Sequence, residues 1–173
     1  MFKTMGIHHI SAIVGNPQEN LDFYSGILGL RLVKKTVNFD DPGTYHLYFG
    51  NDKGSPGTIM TFFPWNKGFK GRIGTGQVGV TSFAIPPGSM AFWEERFQTY
   101  QVSFKKTVRF GETYIAFEDP HGLQLELVER DNGAHSDWSF NGVSPETGIK
   151  GFAGAILLTS SPGHTMGLLK NGL

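Results

Sequence analysis

The stretch KKTVNF at Lys34–Phe39 returns as KKTVRF at Lys105–Phe110 with one letter changed. A return of this kind within 173 residues signals a duplicated structural unit, and the flanking segments repeat in the same order. An apolar run precedes each copy, at His8 to Val14 and again at Val80 to Ile85. Asn16 can cap a first helix, Pro17 opens it at no hydrogen-bonding loss, and Leu21, Tyr24 and Leu28 recur at helical spacing before Gly29. A second helix is expected from about Ser89, with Phe92, Trp93 and Phe97 on its apolar face and Phe92-Trp93 standing where Phe23-Tyr24 stood. Three strands are expected after each helix. They fall at about Arg31 to Thr36, Tyr45 to Phe49 and Thr58 to Phe63, then Val102 to Val108, Thr113 to Glu118 and Leu123 to Val128. Gly43 matches Gly111, and Phe49 matches Phe117. Each copy thus reads βαβββ, and the fold class expected is α+β with tandem units.

A third copy begins and stops. GFAGAILLT at Gly151 to Thr159 lines up with Gly6 to Val14, Ser161-Pro162 with Asn16-Pro17, and Leu173 with Leu28. The expected organisation is a first unit over 1–64, a linker over 65–77, a second unit over 78–129, a linker over 130–148 and a truncated third unit over 149–173. A strand and one helix cannot bury their own apolar faces, so this tail must dock on the body or on another chain. A homo-oligomer formed through the tail is the expectation, as is a longer parent protein.

Composition narrows the function classes. With 15 basic and 15 acidic side chains the chain has no formal net charge, so the basic surplus of a nucleic-acid binder is missing. No apolar run is long enough to span a bilayer, and the start lacks a signal-peptide pattern. With 0 cysteines there is neither disulfide nor thiolate chemistry, which agrees with a cytoplasmic location. Fifteen Phe, five Tyr and three Trp exceed what core packing alone needs, and an aromatic-lined cavity is expected. Gly71, Gly74 and Gly76 have the wrong spacing for a dinucleotide loop, and no G-x-S-x-G elbow exists.

HHI opening the first strand, LDFYSGILGLRL from Leu21 to Leu32 and DPHGLQLEL from Asp119 to Leu127 resemble the vicinal oxygen chelate superfamily of glyoxalases, bleomycin-resistance proteins and extradiol dioxygenases. The segment from Thr36 to Trp65, TVNFDDPGTYHLYFGNDKGSPGTIMTFFPW, followed by KGRIGTGQV, is similar to ring-cleaving dioxygenases of hydroquinones. The resemblance implies paired units curled around a cleft, a divalent ion, Fe(II) or Mn(II), held by two imidazoles and a carboxylate, and a small aromatic substrate.

By that resemblance His9 is the ligand position of the first strand, His8 and Ser11 are substrate-side or supporting groups, and Glu126 is the last-strand carboxylate. Read as bare strand residues, the histidines are ordinary and Glu126 belongs to a solvated sheet face. Val80 and Gly154 stand where His9 would recur, and Thr61, or Met60, where Glu126 would, so the chain holds His9 and Glu126 of four slots. In the resembling dioxygenases the other His and the Glu come from the last unit, which would make Glu126 a relic. His46, Tyr45 and Tyr48 can face an aromatic ring. His121, His135 and His164 are expected in solvent. The expected function is the N-terminal part of a ring-cleaving dioxygenase, inactive or weakly active alone. The alternatives are a metal-free small-molecule binding module and a glyoxalase-type lyase.

Overall fold

The computed structural model describes residues 4–65, 71–133 and 135–171. The first unit comprises β1 (His9–Val14), a helix α1 (Pro17–Leu21) that continues as a π-helical segment (Asp22–Ile27), β2 (Arg31–Val37), β3 (Tyr45–Gly50) and β4 (Ile59–Pro64). The second comprises β5 (Gln77–Ile85), α2 (Met90–Thr99), β6 (Phe104–Arg109), β7 (Glu112–Glu118) and β8 (Gln124–Glu129). β9 (Gly151–Leu158) and α3 (Pro162–Asn171) follow. The α+β architecture expected from the repeat is present. Of the linker expected between the units, 66–70 lie outside the described residues, as does Leu173, and 71–76 form neither helix nor strand.

Local chemistry sets these boundaries. The Asn16 side chain accepts from the amides of Gln18 and Glu19 at 2.8 and 3.4 Å, closing the start of α1. Gly29 ends the segment with φ +72°, and a Cβ there would stand 2.7 Å from Val143, so two constraints converge on glycine. The π-helical segment was not foreseen, because Leu21, Tyr24 and Leu28 suit an α-helix as well. Its widened turn is closed by the Leu28 amide donating to the Phe23 carbonyl at 2.9 Å.

Two sheets result, in strand orders β1-β4-β3-β2 and β6-β7-β8-β5-β9, with β1 parallel to β4 and β5 parallel to β8. Alternate residues of both sheets meet in one apolar core: Ile10, Leu47, Phe49 and Phe62 from the first, Phe83, Ile115, Phe117 and Leu127 from the second. The π-helical segment and α2 are buried in that same core. Tyr24 packs 4.3 Å from Phe62 and its hydroxyl donates to Asp119 at 3.1 Å, while Phe97 lies 4.6 Å from Phe117. Arg96 of α2 locks the two units by donating to the carbonyls of Ile27 and Gly26 at 2.6 and 2.9 Å.

The opposite face of each sheet therefore looks away from the shared core. The cleft that the resemblance implies is not formed between these two units. Of the two ways to cover the tail, the strand takes the body: β9 pairs antiparallel with β5 of its own chain, so its apolar strand already has a partner. Of the tail, α3 buries no residue and exposes Met166, Leu168 and Leu169.

Candidate functional site

On the outer face of the first sheet stand, by strand alternation, His9, Ser11 and Ile13 of β1, Thr61 and Phe63 of β4, and His46 and Tyr48 of β3. His9 is exposed, and its Nδ1 lies 3.1 Å from Nδ1 of His8, the rings meeting edge to face. One of these nitrogens must donate and the other accept, so the two tautomers are coupled. When His9 donates, its Nε2 keeps a free lone pair aimed away from His8, which is the state a metal ligand needs. Ser11 does not bond His9; its hydroxyl pairs with that of Thr61 at 2.8 Å.

Beside this row lies an aromatic wall. The His46 ring stacks on Phe63 at 4.0 Å and faces Tyr48 at 4.1 Å, and the Tyr48 hydroxyl meets its Nδ1 at 2.9 Å. Burial first, then Lys34 and His9, hold the His46 imidazole below its ordinary value, so it serves as a neutral stacking group. The Lys34 ammonium lies 5.4 Å from the centre of the Tyr48 ring. Tyr45, by contrast, is taken up by Lys35 at 4.5 Å.

Glu126 is elsewhere. It belongs to β8 in the second sheet, on the opposite parity from buried Leu125 and Leu127, so it points outward on the far side of the molecule from His9. The structure does not bring His9 and Glu126 together. Arg109 donates to both carboxylate oxygens at 2.9 and 2.6 Å, and the Ser82 hydroxyl donates to one at 2.7 Å. Burial alone would raise this carboxyl, but the bonds from Arg109 and Ser82 outweigh it and hold it below its ordinary value. A guanidinium thus fills the place a cation would need. Sequence alternation foretold the outward direction of Glu126; Arg109, two strands away, reaches it by running over the Tyr114 ring at 4.0 Å, which no spacing rule announces. A second ion pair lies alongside, Arg130 on both oxygens of Glu112 at 2.8 Å.

Among the described residues, no group of three or more His, Cys, Asp or Glu side chains is placed to hold a metal ion. His135 pairs with Asp137 at 3.2 Å and His164 with Ser161 at 3.0 Å, both exposed as expected. His121 is not in solvent: it is half-buried against Gly15, with its Nε2 enclosed and without a partner. A further cavity of about 180 Å³ lies between Gly29, Asn51, Pro86, Trp138 and Lys150. No helix among the described residues is long and apolar enough to cross a membrane.

A sequence model of the Glyoxalase/Bleomycin resistance protein/Dioxygenase superfamily matches residues 6–127. The chain is 63% identical over 169 residues to MhqO of Bacillus subtilis (strain 168), named as a ring-cleaving dioxygenase, covering 98% of this chain and 54% of the relative. It is 38% identical over 155 residues to the chlorohydroquinone/hydroquinone 1,2-dioxygenase of Sphingobium indicum, covering 87% of this chain and 48% of that one. A crystal structure titled as a dioxygenase from Bacillus subtilis superposes with a TM-score of 0.97 at 62% identity, over 99% of this chain and 55% of that one. The chain spans about half the length of the curated relatives it matches.

Proposed function

The chain belongs to the glyoxalase/bleomycin resistance protein/dioxygenase superfamily, and on that footing we propose that it is the N-terminal part of a metal-dependent, extradiol-type dioxygenase that opens the ring of a hydroquinone or related aromatic diol. The observation that carries this reading is the outer face of the first sheet. There an exposed imidazole with a free ring nitrogen, His9, borders an aromatic wall of Phe63, His46 and Tyr48. A planar diol fits against such a wall, with Lys34 at its edge favouring an ionised hydroxyl.

These residues do not by themselves fit Fe(II) or Mn(II). One imidazole is available, whereas a two-histidine, one-carboxylate set is what leaves room for substrate and dioxygen, and Glu126 is spent on Arg109. The chain alone is therefore inactive or weakly active. What its own residues do is bind and orient: His8 fixes the tautomer of His9, Ser11 and Thr61 satisfy one another beside it, and the wall excludes water from one face of the ring. A cytoplasmic location and a homo-oligomer belong to this proposal. Because β9 is paired within the chain, α3 is the part of the tail left for association.

The test is a chimera in which this chain replaces the matching part of the Bacillus subtilis relative. Hydroquinone-dependent oxygen uptake is expected, and its loss in His9→Ala with the fold intact. Full activity after His9→Ala would overturn the reading. A metal-free binding module is the second reading, favoured by the same wall and the missing ligands; metal content of the chimera separates the two.

A further inference from the structure

The chain between β8 and β9 is anchored to both units. The Ser136 hydroxyl accepts from the Asp52 amide at 3.3 Å, the Trp93 indole donates to the Thr147 carbonyl at 2.8 Å, and the Lys150 amide donates to the Ala84 carbonyl at 2.8 Å. Val143 and Ile149 of this segment are buried in the shared core. The cavity of about 180 Å³ that the segment borders therefore has fixed walls.

The lining of that cavity is divided. Pro86, Pro87, Val143 and Ile149 are apolar, whereas Asn51, Trp138 and Lys150 bring donors. The Trp138 ring is held between the Arg31 guanidinium, 5.7 Å from its centre, and the Phe140 ring stacked at 6.1 Å. Its Nε1 is enclosed and without a partner among the described residues, and an indole N–H can only donate. The Lys150 ammonium donates to the carbonyls of Arg130 and Asp131, which leaves one of its three protons, and no carboxylate among the described residues pairs with it. Asn51 is 4% exposed; its carbonyl oxygen is taken by the amides of Lys53 and Ser55 and one amide proton by the Ser55 hydroxyl, so a second proton is left over. Asp131, the acidic residue of the lining, is exposed.

Three donors and one uncompensated positive charge thus border an apolar space. An enclosed donor without an acceptor is costly to the fold, and a ligand oxygen removes that cost. A cavity of about 150 Å³ admits benzene, so this one admits a single ring with a small substituent. We propose that it binds a small aromatic monocarboxylate, the ring against the prolines and Val143 and the carboxylate on Lys150, Trp138 and Asn51. None of these residues belongs to the outer face of the first sheet, so the proposal stands apart from the dioxygenase reading.

Benzoate is the probe. Its titration into the isotope-labelled 173-residue chain is expected to shift the indole N–H resonance of Trp138 saturably at millimolar concentrations or below, that resonance being identified by its absence in Trp138→Phe. Saturation-transfer NMR then compares the variants. Trp138→Phe keeps a ring and loses the donor, Lys150→Met loses the charge, and each is expected to weaken benzoate at least about tenfold. Should Lys150→Met fail to fold because two carbonyls lose their donor, Trp138→Phe decides the matter alone. Benzamide, of the same outline and uncharged, should bind at least about tenfold more weakly than benzoate, as should acetate, which lacks the ring. His9→Ala should bind benzoate as the wild type does, whatever its ring cleavage. Absence of a saturable shift at Trp138 overturns the proposal, and so does unchanged affinity in folded Trp138→Phe. Benzamide or acetate binding as tightly as benzoate overturns the ligand class.

Discussion

Arg109 grips Glu126 with both terminal nitrogens, at 2.9 and 2.6 Å, on the outer face of the second sheet. The Glu126 side chain is 6% exposed and that of Arg109 29%, so the pair is largely out of water. Removing one partner leaves a buried charge, and Arg109→Met should lower unfolding stability by about 3 kcal/mol in urea titrations. Arg109→Met combined with Glu126→Met should lose far less than the sum of the two single changes.

Metal content follows from the same pair. Metal analysis of the purified chain should find well below one Fe or Mn per chain, unchanged by Glu126→Ala. His9→Ala should remove what remains, because the one exposed imidazole of the outer face with a free lone pair is there.

Phe110 and Gly111 form a two-residue hairpin loop between β6 and β7, with φ of 55° and 78°. Both positive angles are those of a type I′ turn, for which Asn-Gly is the favoured pair. Phe110 is 91% exposed, so its ring stabilises nothing in the chain. Phe110→Asn is expected to raise stability by roughly 0.5–1 kcal/mol, read as a higher Tm.

Glu112 has its carboxyl lowered to about 2 from 4.5, by the bonds from Arg130 and then from Tyr114. A lowered folded-state value stabilises the fold at pH values above the ordinary carboxylate range. That contribution disappears as pH falls from about 4.5 towards 2. A carboxyl-carbon NMR titration should place its midpoint near the lower figure, and Arg130→Met should return it towards the ordinary value.

Gly29→Ala meets two obstacles at once, the φ of +72° and the 2.7 Å approach to Val143. A loss of more than about 1 kcal/mol is expected. Adding Val143→Ala should recover the steric part alone, leaving the backbone strain to be seen in the same unfolding experiment.

The repeat made most of the fold legible. Expecting a strand at Arg31 to Thr36 and finding Arg31–Val37, or Thr113 to Glu118 and finding Glu112–Glu118, reflects two-residue alternation between turn residues, which is a local property. How the units pack is not local. His9 and Glu126 each pointed away from their apolar neighbours, as alternation requires, but the sequence does not say that those two faces lie on opposite sides of one core. Nor could it show that Arg109 crosses Tyr114 to reach Glu126, since that contact depends on the twist of three adjacent strands. His121 leaves solvent for a related reason: its turn folds back onto Gly15, a glycine with room for a ring and little more.

Among the described residues β5 has strand neighbours on both sides and β1 on one, and solvent protons will register the difference. In a single chain the amides of His9, Ser11 and Ile13 exchange with deuterium at rates close to those of an open loop, while those of Val80 and Ser82, turned towards β9, wait for the sheet to open. Protection at those three amides would mean that the edge is covered in solution, so one strand reports by itself whether the sheet has been continued.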